Sequence, residues 1–99
     1  MRHYRIPDTS ELQDALNDLP GWELGEKRIQ KHFEFKGFAE AMQFVNTVAR
    51  MAEQMDHHPD WSNSFNKVFL SLSTQSLNAI TETDLQMALG IEKLYTNGI

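Results

Sequence analysis

The chain has 99 residues, of which 40% are hydrophobic and 23% charged, so we expect a single small globular domain over residues 1–99. Its net charge of -5 and its scattered basic residues argue against a nucleic-acid surface, and the absence of cysteine excludes disulfides, thiolate catalysis and cysteine-type zinc sites. No apolar run approaches the roughly 20 residues that cross a bilayer, and the first residues lack an apolar signal core, so we expect a cytoplasmic protein that does not enter a membrane.

The first predicted element is a short helix within PDTSELQDALNDLPGW, residues 7–22. Asp8, Thr9 or Ser10 can cap its start, and Glu11 has the spacing of a capping box with Asp8. Leucine and alanine then recur at helical intervals, and a Pro-Gly pair ends the pattern.

Two strands are predicted within WELGEKRIQKHFEFKG, residues 22–37, with their connection near residues 25–27. Trp22 follows the Pro-Gly turn and is interpreted as a core anchor. In the second strand Ile29, Phe33 and Phe35 fall on one face, and polar residues alternate with them on the other.

The longest helical pattern runs from residue 38 to residue 55, with Gly37 as a tolerable N-cap. Its apolar residues recur at spacings of three and four: Ala41, Val45, Val48, Ala49, Ala52 and Met55. Pro59 then blocks continuation and favours an extended backbone at His58.

Alternation in SFNKVFLSLST, residues 64–74, predicts one or two further strands, with Phe65 in the core or in a pocket wall. The segment TETDLQMALGIEKLY, residues 81–95, predicts a closing helix with Thr81 as N-cap. Asp84 is then the third helical residue, where a carboxylate stabilises the helix start. The residues expected to pack inwards are Leu85, Ala88, Leu89, Ile91 and Leu94.

The order of elements is helix, two strands, helix, one or two strands, helix. This order favours an α+β sandwich in which the helices cover one face of an antiparallel sheet. The other face and the sheet edges then need protection, which in a small domain often comes from another subunit, so we expect a homo-oligomer.

Residues 53–61, EQMDHHPDW, place two adjacent histidines between a long helix and a proline. From the residues alone, this stretch can be a polar loop, a metal site, a partner surface or a proton-transfer site. A zinc site needs three or four ligands, whereas the other two histidines are distant in sequence and adjacent side chains tend to diverge. The metal site is therefore the weaker interpretation.

Proton transfer makes better use of the histidine pair, because imidazole exchanges protons near neutral pH. Asp56 or Glu53 can orient an imidazole. Glu53 lies four residues before His57, so the two side chains stack if the helix continues through His57. Trp61 is more often a packing residue, although an aromatic group there can also stack on a flat ligand.

These residues resemble the pterin-4a-carbinolamine dehydratase family. The matching pattern is Glu53-x-x-x-His57-His58-Pro59, then an aromatic residue, Phe65, and later Asp84. The resemblance also covers GWEL at 21–24, FEFKGFAEAMQFVNTVARMAE at 33–53 and FNKVFLSLST at 65–74, and so nearly the whole chain.

The resemblance implies three helices against a four-stranded antiparallel sheet, assembly as a dimer or tetramer, and an activity without metal or organic cofactor. The implied substrate is 4a-hydroxytetrahydropterin, left by an aromatic amino-acid hydroxylase, and the product is quinonoid dihydropterin for tetrahydrobiopterin recycling. In animals the family also serves as a dimerisation cofactor of a homeodomain transcription factor. An alternative for this chain is a non-catalytic pterin-binding or dimerisation/regulatory module of the same fold, and a third is a general small-molecule lyase.

The resemblance implies that His57 and His58 are the catalytic residues. It implies that Glu53 and Asp84 are the supporting carboxylates. Together with the residues around the histidines, the substrate-binding or supporting candidates are Glu53, Asp56, Pro59, Trp61, Gln75 and Asp84. One position departs from the family pattern, because Gln75 stands where a further histidine, or sometimes a tryptophan, is expected. A Gln amide can hold a ligand but cannot shuttle a proton near pH 7, so we expect a slower enzyme.

Overall fold

The computed structural model describes residues 3–97, which form three helices and a four-stranded antiparallel sheet with strand order β1-β2-β4-β3. The elements, in chain order, are α1 (Thr9–Asn17), β1 (Glu23–Gly25), β2 (Arg28–Glu34), α2 (Phe38–Met55), β3 (Asp60–Ser64), β4 (Lys67–Leu72) and α3 (Glu82–Asn97). The predicted α+β fold is confirmed. No helix among residues 3–97 has the length and apolar character needed to cross a membrane.

The start of α1 confirms the predicted capping box. The backbone N–H of Glu11 donates to Asp8 Oδ1 at 2.8 Å, and the backbone N–H of Asp8 donates to Glu11 Oε1 at 3.0 Å. After the helix the chain turns into the core at Trp22, whose indole Nε1–H donates to the buried Glu92 carboxylate at 2.9 Å. Lys31 also pairs with Glu92, so this buried carboxylate is compensated by a cation and an indole.

The core lies between the helices and one face of the sheet. In the central strands, Ile29 pairs with Leu72 and Phe33 with Val68, and all four are at most 1% exposed. Their alternation with polar residues follows the two-residue period of a strand, as predicted. Burial of this face holds the helices against the sheet.

The segment after Pro59 forms two strands, joined by a tight turn at Phe65 and Asn66. The placement of Phe65 in the core or in a pocket wall was wrong, because this residue is 67% exposed and has a left-handed backbone with φ of 53°. A short hairpin requires a left-handed backbone at its turn, and Phe65 occupies that turn position. Its side chain therefore lies on the surface.

The long helix α2 has the predicted bounds and the predicted Gly37 N-cap, and most of its apolar stripe is buried. Ala49 is an exception and is exposed. Thr81, directly before α3, is buried, and Ala88 and Ile91 of α3 enter the core as expected. The inward placement of Leu89 was wrong, because α3 turns this residue towards solvent beside α1, where it is 43% exposed.

Candidate functional site

The end of α2 separates the side chains of the two adjacent histidines. The helix ends at Met55, and Asp56 takes a left-handed backbone with φ of 51°. The backbone N–H of His57 then donates back to the carbonyl of Ala52 at 3.0 Å, which closes the last turn. This reversal directs His57 into the protein, whereas His58 is exposed.

His57 is paired with a buried carboxylate of α3. Its Nε2 lies 2.5 Å from Asp84 Oδ1, and the two side chains are 7% and 0% exposed. When Nε2–H donates to the carboxylate, the neutral imidazole keeps its lone pair on Nδ1. A buried carboxylate at this distance fixes both the orientation and the tautomer of the ring.

The same carboxylate also caps α3. Asp84 Oδ2 accepts from the backbone N–H of Thr81 at 2.9 Å and from the hydroxyl of Thr74 at 2.8 Å. The helix-cap interpretation of Asp84 is therefore confirmed, and the residue pairs with His57 in addition. Since both oxygens have partners, this fully buried carboxylate is well compensated.

His58 forms a second pair with different surroundings. Its Nε2 lies 2.8 Å from Glu53 Oε1, and the two side chains are 59% and 78% exposed. The stacking of Glu53 on His57 does not occur, because α2 stops before His57. Among residues 3–97, the carboxylates that contact the two imidazoles are Asp84 and Glu53, so the orienting role expected for Asp56 falls to other residues.

A polar cavity of about 280 Å³ opens beside the histidines. The end of α2, the β4–α3 connection and the segment before α1 form its walls. Its lining residues are Tyr4, Asp56, His57, His58, Pro59, Asp60, Ser73, Thr74, Gln75 and Ser76. Asp84 and Glu53 support the cavity through their imidazole partners. The structure therefore brings seven of the eight predicted site residues to the cavity or to its histidines.

Trp61 is the exception. It lies with α2 residues in a neighbouring, mostly apolar groove of about 400 Å³, and it is 50% exposed. Successive strand residues point to opposite faces, so Asp60 reaches the polar cavity and Trp61 does not. His58 and Pro59 line both the cavity and the groove.

Sequence reasoning missed Tyr4 and Thr74. Tyr4 lies before the first helix, where no periodic pattern indicates its position. Thr74 is the last residue of a segment predicted as strand, and it lies beyond the end of β4 at Leu72. Among residues 3–97, no group of three or more histidine, aspartate or glutamate side chains converges so as to hold a metal ion.

Comparison with known proteins gives a consistent result. A family model described as pterin 4 alpha carbinolamine dehydratase matches residues 7–94. A relative from Prochlorococcus marinus (strain MIT 9312) is 39% identical over 95 residues, which cover 96% of this chain and 98% of that protein. A relative from Synechococcus sp. (strain WH7803) is 40% identical over 85 residues, covering 86% of this chain and 91% of that protein. Both carry the name pterin-4-alpha-carbinolamine dehydratase as a provisional assignment.

Two solved structures share the fold. A protein of Brucella melitensis described as a transcriptional coactivator/pterin dehydratase matches with a TM-score of 0.87 and 38% identity, over 92% of this chain and 99% of that one. A pterin dehydratase-like protein described as a RuBisCO assembly factor matches with a TM-score of 0.63 over 75% of this chain and 86% of that one. The second is 20% identical and shows the fold alone.

Proposed function

Because the chain belongs to the pterin-4a-carbinolamine dehydratase family, we propose that it dehydrates 4a-hydroxytetrahydropterin to quinonoid dihydropterin. The C–O bond to the 4a-hydroxyl breaks, a ring N–H loses its proton as a C=N bond forms, and one water leaves. The reaction needs one group that accepts a proton and one that delivers a proton, both effective near neutral pH.

One observation supports this activity above the others. Two imidazoles, each paired with its own carboxylate, line a single polar cavity. The Asp84 carboxylate stabilises the imidazolium that forms when His57 takes a proton, as a buried carboxylate does for a histidine base. His57 is therefore proposed as the base that removes the ring proton.

His58 is proposed as the acid that protonates the leaving hydroxyl. Its imidazole and its partner Glu53 are largely exposed, so His58 can recover a proton from water after each turnover. A fixed base and a solvent-exchanging acid together complete the proton balance of a dehydration.

Gln75 lines the cavity at the position where the resemblance expects a third histidine. Its amide can hydrogen-bond the polar edge of a pterin but cannot carry a proton. We therefore propose a dehydratase that is slower than one with three histidines. General acid–base groups are each worth roughly 10²–10⁴-fold, so two of them still give useful catalysis.

The presence of Gln75 in place of a third histidine also favours a second candidate, a pterin-binding or regulatory module with little turnover. The Brucella neighbour is described as a coactivator as well as a dehydratase. The exposed aromatic side chains on α2 and β3, Phe38 and Trp61, suit assembly as a homodimer or homotetramer in either case. For the enzyme, the setting is tetrahydrobiopterin recycling in the cytoplasm beside an aromatic amino-acid hydroxylase.

The two candidates separate in one assay. A hydroxylase burst generates the carbinolamine, and its disappearance is followed by absorbance with and without this protein. Acceleration that is lost in the His57→Ala, His58→Ala double variant supports the enzyme. A wild-type rate equal to the spontaneous rate, with biopterin still bound, supports the module, and failure of both measurements contradicts both.

A further inference from the structure

The polar cavity has an aromatic wall that comes from outside the histidine motif. Tyr4 lines the cavity, and its ring centroid lies 6.1 Å from that of His57, with the ring planes inclined by 47°. The side chain is half-buried. Among the described lining residues, Tyr4 is the only one with a benzenoid ring, since Trp61 lies in the neighbouring groove.

The residue after Tyr4 fixes this segment in place. The carbonyl of Arg5 accepts a hydrogen bond from the backbone N–H of Glu82, the first residue of α3, at 2.9 Å. The Arg5 guanidinium pairs with the carboxylate of Glu82 and, at 2.6 Å, with that of Glu11 in the first turn of α1. One residue thus ties the N-terminal segment to two helices.

The carboxylate of Glu11 completes this connection. It accepts a hydrogen bond from the backbone N–H of Asp8 and another from the Arg5 guanidinium. Both bonds lower the pKa of Glu11, and the bond from Asp8 has the larger effect. Exposed ion pairs contribute little to overall stability. Several contacts converging on one residue, however, restrict where the neighbouring Tyr4 can lie.

A flat heterocycle in the cavity needs a surface to lie against. Polar side chains such as Gln75 and Thr74 can bind the edge of a pterin, but they offer no flat apolar face. An aromatic ring offers that face, and it favours offset or tilted contact with another ring system. Because Tyr4 lies beside His57, a ligand ring packed against Tyr4 would take a defined orientation relative to the proposed base.

We propose that Tyr4 is a substrate-positioning residue that packs its ring against the face of the bound pterin, and that Arg5 holds it there. This inference rests on the proposed function and extends it to a segment outside the histidine motif. Tyr4 contributes to binding and orientation and takes no part in proton transfer.

The test compares Tyr4→Leu with Tyr4→Phe and Tyr4→Trp, which keep an aromatic face. Tyr4→Leu is expected to raise the KM for the carbinolamine and the Kd for biopterin roughly 2- to 10-fold, the range of one aromatic contact. The kcat should stay within about two-fold, and the two aromatic variants should bind like the wild type. Tyr4→Met supplies the same comparison if Tyr4→Leu does not fold.

A second pair of variants tests the connection. Arg5→Gln should weaken biopterin binding in the same direction as Tyr4→Leu but less. Arg50→Gln removes an exposed arginine that donates to the Thr47 hydroxyl within α2, and it should leave binding unchanged. Equal binding by Tyr4→Leu and the wild type overturns the inference, and so does a Tyr4→Phe defect as large as that of Tyr4→Leu.

The inference and the proposed function fail in different ways. Biopterin binding that depends on Tyr4, without turnover by the wild type, supports the aromatic wall and contradicts the dehydratase. Turnover by the wild type with a KM that does not depend on Tyr4 contradicts the wall and leaves the dehydratase standing.

Discussion

The two imidazole–carboxylate pairs of this protein share one chemistry and have opposite surroundings. The His57–Asp84 pair is buried and is tied into the start of α3, whereas the His58–Glu53 pair projects into solvent from the end of α2. Breaking a buried pair leaves a desolvated partner, whereas an exposed pair contributes little to stability. The two adjacent histidines that we propose for one reaction therefore differ in what they contribute to the stability of the fold.

The largest effect is expected at the buried pair. His57→Ala should lower the dehydration rate roughly 10²- to 10⁴-fold, because it removes the proposed base. It should also destabilise the fold by about 1–3 kcal/mol, since Asp84 Oδ1 loses its partner in the interior. Stopped-flow absorbance and urea unfolding measure the two effects. A rate within two-fold of the wild type would show that His57 is only a structural residue.

Exchanging the carboxylate for an amide tests how His57 is held. In Asp84→Asn the amide oxygen can still accept from Thr81, which leaves the NH₂ facing His57 and favours the opposite ring tautomer. The rate should fall roughly 10²-fold while the helix remains capped. The matched exposed substitution, Glu53→Gln, should cost far less. Equal rate losses for the two variants would contradict the assignment of different roles.

The exposed pair should respond to chemical rescue. His58→Ala is expected to lower the rate about 10²-fold, with stability within about 0.5 kcal/mol of the wild type. Because the vacated position is open to solvent, added imidazole should restore part of that activity. It should not rescue His57→Ala, because His57 is buried. Rescue of His57→Ala instead of His58→Ala would reverse the comparison.

The smallest expected change is a gain. Gln75→His adds a titratable group to the cavity wall at an exposed position, so folding should be unaffected. The rate should rise several-fold, because a third imidazole can share proton delivery near neutral pH. Biopterin affinity, measured in parallel, controls for lost amide contacts. An unchanged rate with intact binding would show that two histidines suffice.

Local sequence patterns were enough to predict much of the fold. The spacing of apolar residues from Ala41 to Ala52, with Gly37 before and Pro59 after, is enough to place α2, because helix period and end signals agree there. The capping box of α1 depends on residues three apart and was equally visible. The resemblance then brought Gln75 and Asp84 to the histidines, although neither lies near them in sequence.

Other features depend on tertiary geometry that no local pattern reports. The left-handed backbone at Asp56 and Phe65 is imposed by the chain reversals around them, since neither residue favours it as glycine does. The side chains of β3 alternate between the two faces of the sheet, as in any strand. Which face of this edge strand meets the cavity, and so where Trp61 lies, depends on the position of α2. Tyr4 belongs to no periodic element, and long-range contacts of its neighbour Arg5 set its position.

Asp84 both pairs with His57 and caps α3, so its side chain is retained for two separate reasons. The exposed residues of the site have no such second role in the fold. A chain that abandoned proton chemistry could exchange Glu53 or Gln75 freely, since both are exposed, but replacing Asp84 with a residue that cannot accept from the Thr81 N–H would also remove the cap of its last helix. In descendants of such a chain the aspartate would outlast its catalytic purpose. An aspartate at this position in a relative is then weak evidence that the relative is an active enzyme. The exposed positions, Glu53 and Gln75, are more informative about activity.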